Sequence, residues 1–411
     1  MLVFARLRRC RLLRGCVLPY YRRVGEIPRK RHQIFRDEQG NLIFEELMGK
    51  EGFAAESSLL YHMRPPTAIV EVESVTGDLE EQLHTNAPLL PRHFKTGLLS
   101  GKGGDSNLDR RVLLGNDEIK VGFVSSDTPS VLYRNALGDE CLFVVRGEGQ
   151  IQSVFGSLEI KSGDYVLVPA STTFKVVPTG SGYLDLLTVE AKGHIEFPKR
   201  YLTARGQFLE SAPLCERDLV GPELPLVLEG EDVDVYVKHR GGITRYFYSS
   251  HPFDVVGWDG CLYPFVFSIY DFEPIVKRFH APPPVHQVFE GNGFVVCSFL
   301  PRPYDFDPTA VPAPYSHANV DSDEVLFYYK GDFMSRRGSG IEEGSISLHP
   351  AGFIHGPQPG SVEASLEAKG TEEVAVMIDT FNPLRIGDAA YLIEDSGYPW
   401  SWSKRHGLSD R

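Results

Sequence analysis

The sequence predicts an all-β protein: two β-barrels from an internal duplication, with peripheral loops and short helices. Three observations carry that expectation. Short apolar runs recur at close spacing between turn signals, with hardly a helical period among them. One stretch of the chain matches a later stretch without a gap, which is the mark of a repeated unit. The 411 residues also exceed the size at which one hydrophobic core keeps growing, so at least two cores are required.

Taken in order, residues 1–18 (MLVFARLRRCRLLRGCVL) carry five arginines and no acid. The arginines interrupt the apolar segment that a signal peptide needs. The stretch reads as a disordered extension or a mis-assigned start, with an amphipathic targeting segment as the alternative. Residues 19–110 form an N-terminal loop and strand region, in which PPTAIVEVE is a short strand after a double proline. The later GKGG is a turn, because it lacks the spacing and the Ser or Thr of a phosphate loop. Residues 111–200 hold EIKVGFVSS, ECLFVVRGEG, SLEIKSGDYVLVPA, FKVVPTGSG and YLDLLTVE, the strands of a first barrel. Residues 201–265 are a connecting β region with DVDVYVKHR and ITRYFYSS. Residues 266–385 repeat the barrel pattern in GFVVCSFL, EVLFYYKGDF, GSISLHP and EEVAVMIDT. Residues 386–411 read as an irregular tail with helical character near 388–394.

Composition narrows the partners. A formal charge of −13 argues against a general nucleic-acid or anionic-membrane binder and leaves room for a local basic pocket for a small carboxylate. No run approaches 18 apolar residues, so no membrane span is expected. Six thinly spread cysteines without a CxxC pair suit a reduced, cytoplasmic compartment.

The repeat locates the chemistry. YRNALGDECLFVVRG (133–147) lies against HANVDSDEVLFYYKG (317–331) at an offset of 184, and GDYVLVPASTTF (163–174) against GSISLHPAGFIH (344–355) at an offset of 181. In the second copy the landmarks are His317, Glu324 and His355. The first copy has Tyr133, Glu140 and Phe174 there. Alone, each histidine reads as a loop residue and the Glu as a solvated strand start. Their loss as a pair from one copy points instead to ligands, with one barrel binding metal and the other degenerate and metal-free. Two histidines and one carboxylate suit a non-haem Fe(II) centre with open positions for a substrate and O₂. Glu324 precedes Gly331 as Glu140 precedes Gly147, which selects Glu324 over its rival Asp323. Asn319 is a poor ligand and reads as orienting a ligand or shaping the turn.

Two further histidines are candidates. His280, before a stiff proline run, is either a general base beside a bound phenol or a turn histidine packed on proline. His349 lies six residues before His355, and an extended stretch would point both side chains into the pocket. His239 and His251 read as surface or turn residues.

These residues resemble a known family. The paired landmarks are similar to the two signature motifs of cupins, whose barrels are double-stranded β-helices of the jelly-roll type. The strings YYRRVGEIPRKRH, HPFDVVGWDG, HAPPPVHQVFE, SLHPAGFIHGP and MIDTFNPL resemble the homogentisate 1,2-dioxygenase family, from about residue 19 into the 390s. The resemblance implies Fe(II) held by His317, Glu324 and His355, His280 as acid/base on the substrate phenol, and His349 in the pocket. It implies cleavage of the homogentisate ring by O₂ to 4-maleylacetoacetate in tyrosine and phenylalanine breakdown, by a homo-oligomer, a trimer or hexamer. Family members carry a Tyr and a Lys that contact the substrate carboxylate; this chain has Phe333 and Arg336 there. It also has six residues between the first His and the Glu, where family members have five. A cupin isomerase or decarboxylase, a dioxygenase of a related hydroxylated aromatic acid, and a non-enzymatic binder are the competing readings.

Overall fold

Strand alternation builds two barrels that share one wall. The computed structural model describes residues 21–75 and 82–403, so the reading of residues 1–18 lies outside the described residues. In the strand Asp323–Lys330, Val325, Phe327 and Tyr329 enter one apolar cluster, whereas Glu324, Leu326 and Tyr328 line a cavity on the other face. The strand Glu140–Arg146 repeats this: Cys141 and Phe143 enter the same cluster, and Leu142 and Val144 enter a separate core. That period of two fixes which side chains meet across the barrels. Phe143 lies 5.0 Å from Tyr329 and 6.1 Å from Phe327, ring centre to ring centre. Each such aromatic contributes roughly 2–3 kcal/mol by its burial.

The ladders match between the copies. Glu140–Arg146 lies between Asp164–Val168 and Leu184–Ala191, and Asp323–Lys330 lies between Ser345–His349 and Val374–Thr380, all antiparallel. Matching strand order and register in both copies make the chain a bicupin. In the first barrel a second sheet, including Glu148–Ser153, Gly156–Lys161 and Phe174–Pro178, closes over an apolar interior. Each copy ends its central strand on a left-handed glycine, Gly147 (φ 90°) and Gly331 (φ 97°). A β-carbon there would sit 2.6 Å from the Tyr183 carbonyl oxygen or 2.0 Å from that of Glu372, so only glycine fits.

The barrels are also stitched together from outside. Arg92–Lys95 pairs with Ser345–His349 in the second barrel's sheet, and Arg385–Gly387 pairs with Arg111–Gly115 in the first barrel's sheet. Arg22–Gly25 pairs with Val255–Gly260, which brings two of the family-like strings side by side. The tail forms a short helix at Asp388–Tyr391. Among the described residues, no helix is long and apolar enough to cross a membrane.

Candidate metal centre

Glu324, the second residue of its strand, lies directly opposite His349 on one side and Asp379 on the other. Its carboxylate is buried beside a cavity of about 480 Å³. His317 and His355 reach it from two loops joined by a β-bridge, each backbone N–H donating to the other's carbonyl oxygen at 2.8 and 2.9 Å. Reciprocal bonding sets the imidazoles side by side, with ring centres 4.3 Å apart. One ligand atom from each of His317, Glu324 and His355 lies within 4.8 Å of the others.

The tautomers follow from the neighbours. His317 Nδ1 faces the Tyr315 carbonyl oxygen at 3.2 Å, and His355 Nδ1 faces that of Phe353 at 3.0 Å. A carbonyl only accepts, so each Nδ1 carries the proton and each Nε2 keeps its lone pair. Those Nε2 atoms point to Glu324, at 3.7 Å for His317 and 3.3 Å for His355. His355 Nε2 is buried and has no hydrogen-bond partner. Burial opposes ionisation of Glu324, but the hydrogen bond from His349 and the imidazoles of His317 and His355 beside it outweigh that and hold the carboxyl well below the usual range. An anionic oxygen and two imidazole lone pairs converging on one point are a donor set for a first-row divalent metal, with the cavity side left for other ligands.

His349 stands behind this set. The run from His349 to His355 is not extended: the strand ends at His349, and Gly352 turns the chain at φ 78°. His349 is therefore fully buried, bonded through Nδ1 to Glu324 (2.8 Å) and through Nε2 to the Tyr398 hydroxyl (2.8 Å), with burial pushing it down to about 3. It orients the carboxylate and does not line the cavity. Asp323 turns away. Its carboxylate accepts the backbone N–H groups of Ala351 (2.8 Å) and Leu384 (2.7 Å), as Asp139 accepts those of Ala170 (2.7 Å) and Ile195 (3.0 Å). The Asn319 carbonyl oxygen accepts from Gly352 at 2.7 Å and so shapes the turn, while the residue also lines the cavity.

His280 lines the cavity with its Nε2 buried and without a hydrogen-bond partner, its ring 4.6 Å from Tyr315. Arg336 is buried at the cavity wall, held by the Tyr328 hydroxyl (3.0 Å) and the Gly356 carbonyl (2.8 Å). No carboxylate among the described residues forms an ion pair with it. Phe333 is not part of the cavity wall; its ring meets Tyr328 edge-on at 5.0 Å. Sequence reasoning missed three residues. His286 and Asp379 line the cavity, each with a buried polar atom that has no hydrogen-bond partner, and Tyr398 supports His349. The alternation in EEVAVMIDT, set against YLDLLTVE, was the one signal that pointed to Asp379.

The first barrel tests whether a cation fits. Tyr133 and Phe174 form the same cross-strand pair as the two histidines, with ring centres 5.7 Å apart. Beside them the Arg110 guanidinium bonds Glu140 (2.9 Å) and Glu190 (3.1 Å). The carboxylate matching Glu324 is thus met by a buried positive charge, and the second barrel offers imidazole lone pairs at that place. The residues fit a metal ion.

No protein-family model matches the chain. A protein of Saccharolobus solfataricus named "Putative dioxygenase" is 40% identical over 391 residues, a match spanning 93% of this chain and 99% of that one. The homogentisate 1,2-dioxygenase of Rhodopseudomonas palustris is 22% identical over 75% of this chain and 70% of its own length. That of Emericella nidulans is 24% identical over 69% and 60%. Among solved structures, a cupin 2 conserved barrel domain protein from Leptotrichia buccalis aligns over 74% of this chain and 100% of its own, with 11% identity and a TM-score of 0.32. That overlap is loose, and the fold assignment rests on strand order and register. The near full-length match to the Saccharolobus protein and the paired barrels show that the chain belongs to the cupin dioxygenase family.

Proposed function

We propose that this protein is an Fe(II)-dependent ring-cleaving dioxygenase that converts homogentisate and O₂ to 4-maleylacetoacetate, a step of tyrosine and phenylalanine breakdown. The observation that carries the reading is the convergence of His317 Nε2, Glu324 and His355 Nε2 beside a cavity, in a chain of a dioxygenase family. Fe(II) held by these three would supply open coordination positions and the redox chemistry for ring opening. Both atoms of O₂ enter the product, so no external reductant is needed.

The chain's own residues do the rest. Arg336 offers a buried guanidinium without a carboxylate partner, suited to the acid side arm of the substrate. His280 Nε2, on the cavity wall, takes the phenol proton. His349 holds Glu324 in its anionic form and fixed orientation. In this reading the first barrel stays metal-free, and the protein is a cytoplasmic trimer or hexamer; light scattering checks the assembly.

A second cavity arginine, Arg302, favours keeping a related hydroxylated aromatic acid as the alternative substrate. Oxygen uptake by Fe(II)-loaded protein, measured with homogentisate, gentisate and hydroxyphenylacetates, decides. Homogentisate is expected to give the highest kcat/KM, with one O₂ consumed per ring. Greater uptake with another acid overturns the substrate, and no uptake with any of them overturns the dioxygenase reading.

A further inference from the structure

The two barrels place a second carboxylate on matching rungs of their ladders. Glu190 lies directly opposite Glu140 in the first barrel, and Asp379 lies directly opposite Glu324 in the second. In the first barrel both carboxylates have cations: Arg110 bonds both, and Lys238 bonds Glu190 as well. In the second barrel every ion-pair partner of Glu324 is a histidine, and Asp379 has no ion pair among the described residues. Asp379 nevertheless lines the cavity, with one carboxylate oxygen buried and without a hydrogen-bond partner. Two facing carboxylates without a counter-charge are costly to ionise together, and a chain tolerates them where a bound cation supplies the balance.

We propose that Asp379 is the second negative charge of the metal centre, set directly opposite Glu324 so that the pair neutralises a divalent cation. This rests on the metal reading of His317, Glu324 and His355. Two charges from Glu324 and Asp379 match a dication, as Glu140 and Glu190 match Arg110 and Lys238. Asp379 acts as a positioning and charge-balancing group beside the ligand set, not as a replacement for any member of it.

The test titrates metal-free protein with Fe(II) under anaerobic conditions, and with Mn(II) and Zn(II), against a competing chelator. Asp379→Asn keeps the shape and removes the charge, and is expected to weaken binding of all three ions by about 10–100-fold. Asp379→Glu keeps the charge and is expected to stay within a few-fold of wild type, since Glu190 occupies the matching rung. The metal-free Asn variant is also expected to melt higher than metal-free wild type, because an uncompensated carboxylate is gone. A purely structural role predicts a lower melting temperature and unchanged affinity, and that result overturns the proposal. Wild-type uptake matched by the Asn variant overturns the role of Asp379 alone. A wild-type chain that takes up none of the ions overturns the metal reading and this one with it.

Discussion

The two barrels handle the same buried charges in opposite ways. Each carries a carboxylate pair on facing rungs, Glu140 with Glu190 and Glu324 with Asp379. The first barrel answers with cations tethered to the chain, Arg110 and Lys238, and fills its interior with Leu142, Val144, Leu184 and Leu186. The second surrounds Glu324 with three imidazoles and opens a cavity beside it. One duplicated anionic cup thus serves two ends. A tethered guanidinium closes it and makes it part of the core, whereas in the second barrel the imidazoles stand beside a cavity.

The sharpest way to break this contrast is to change equivalent positions. His355→Ala is expected to abolish metal uptake and oxygen consumption together, a loss beyond the about 100-fold that outer partners cost, read by metal analysis and an oxygen electrode. The matching change, Phe174→Ala, is expected to leave metal content unchanged and cost about 3–5 kcal/mol of stability in urea unfolding, because Phe174 is fully buried in an apolar core. If both variants keep metal, the assignment of the centre to the second barrel is wrong.

Next in size is Arg110→Met. It leaves Glu140 and Glu190 buried with one cation fewer, and about 3–5 kcal/mol of stability should be lost. Adding Glu140→Gln should return part of it. A single variant as stable as wild type would mean that the first barrel does not depend on its tethered charge.

His280→Gln sharpens the division of labour within the second barrel. Iron content should be unchanged while turnover falls at least about 100-fold. Full kcat in that variant would remove His280 from the proton path. The smallest effect is expected from Phe333→Tyr, which restores the family residue. The ring faces Tyr328 and not the cavity, so kcat and KM should change by less than about threefold. A large gain in affinity for the aromatic acid would show that the hydroxyl reaches the substrate.

Much of this was legible in the linear chain. The spacing from Glu to Gly that survives in both copies singled out Glu324, and the structure supplies the reason for the neighbouring acid. Asp323 and Asp139 cap the loops that follow the two strands paired with their own, so the Asp belongs to the fold and the Glu to the interior. The role of His349 was not legible, because an even spacing implies a shared face only while the backbone stays extended, and the turn at Gly352 breaks that condition. Phe333 sits near Arg336 in sequence, yet the short turn Met334–Arg336 sends the guanidinium to the cavity wall while Phe333 packs on Tyr328.

By itself, then, the sequence determined the β architecture, the duplication and the trio His317, Glu324 and His355. Those rest on periodicity and on residue types compared at fixed spacing, which a one-dimensional string preserves. Only the tertiary structure decided that Asp379 faces Glu324, that His349 and Tyr398 stand behind it, and that Arg110 occupies the equivalent place in the other barrel. These depend on cross-strand register and loop closure, which join residues far apart in the chain. Contacts of that kind leave no local spacing to read.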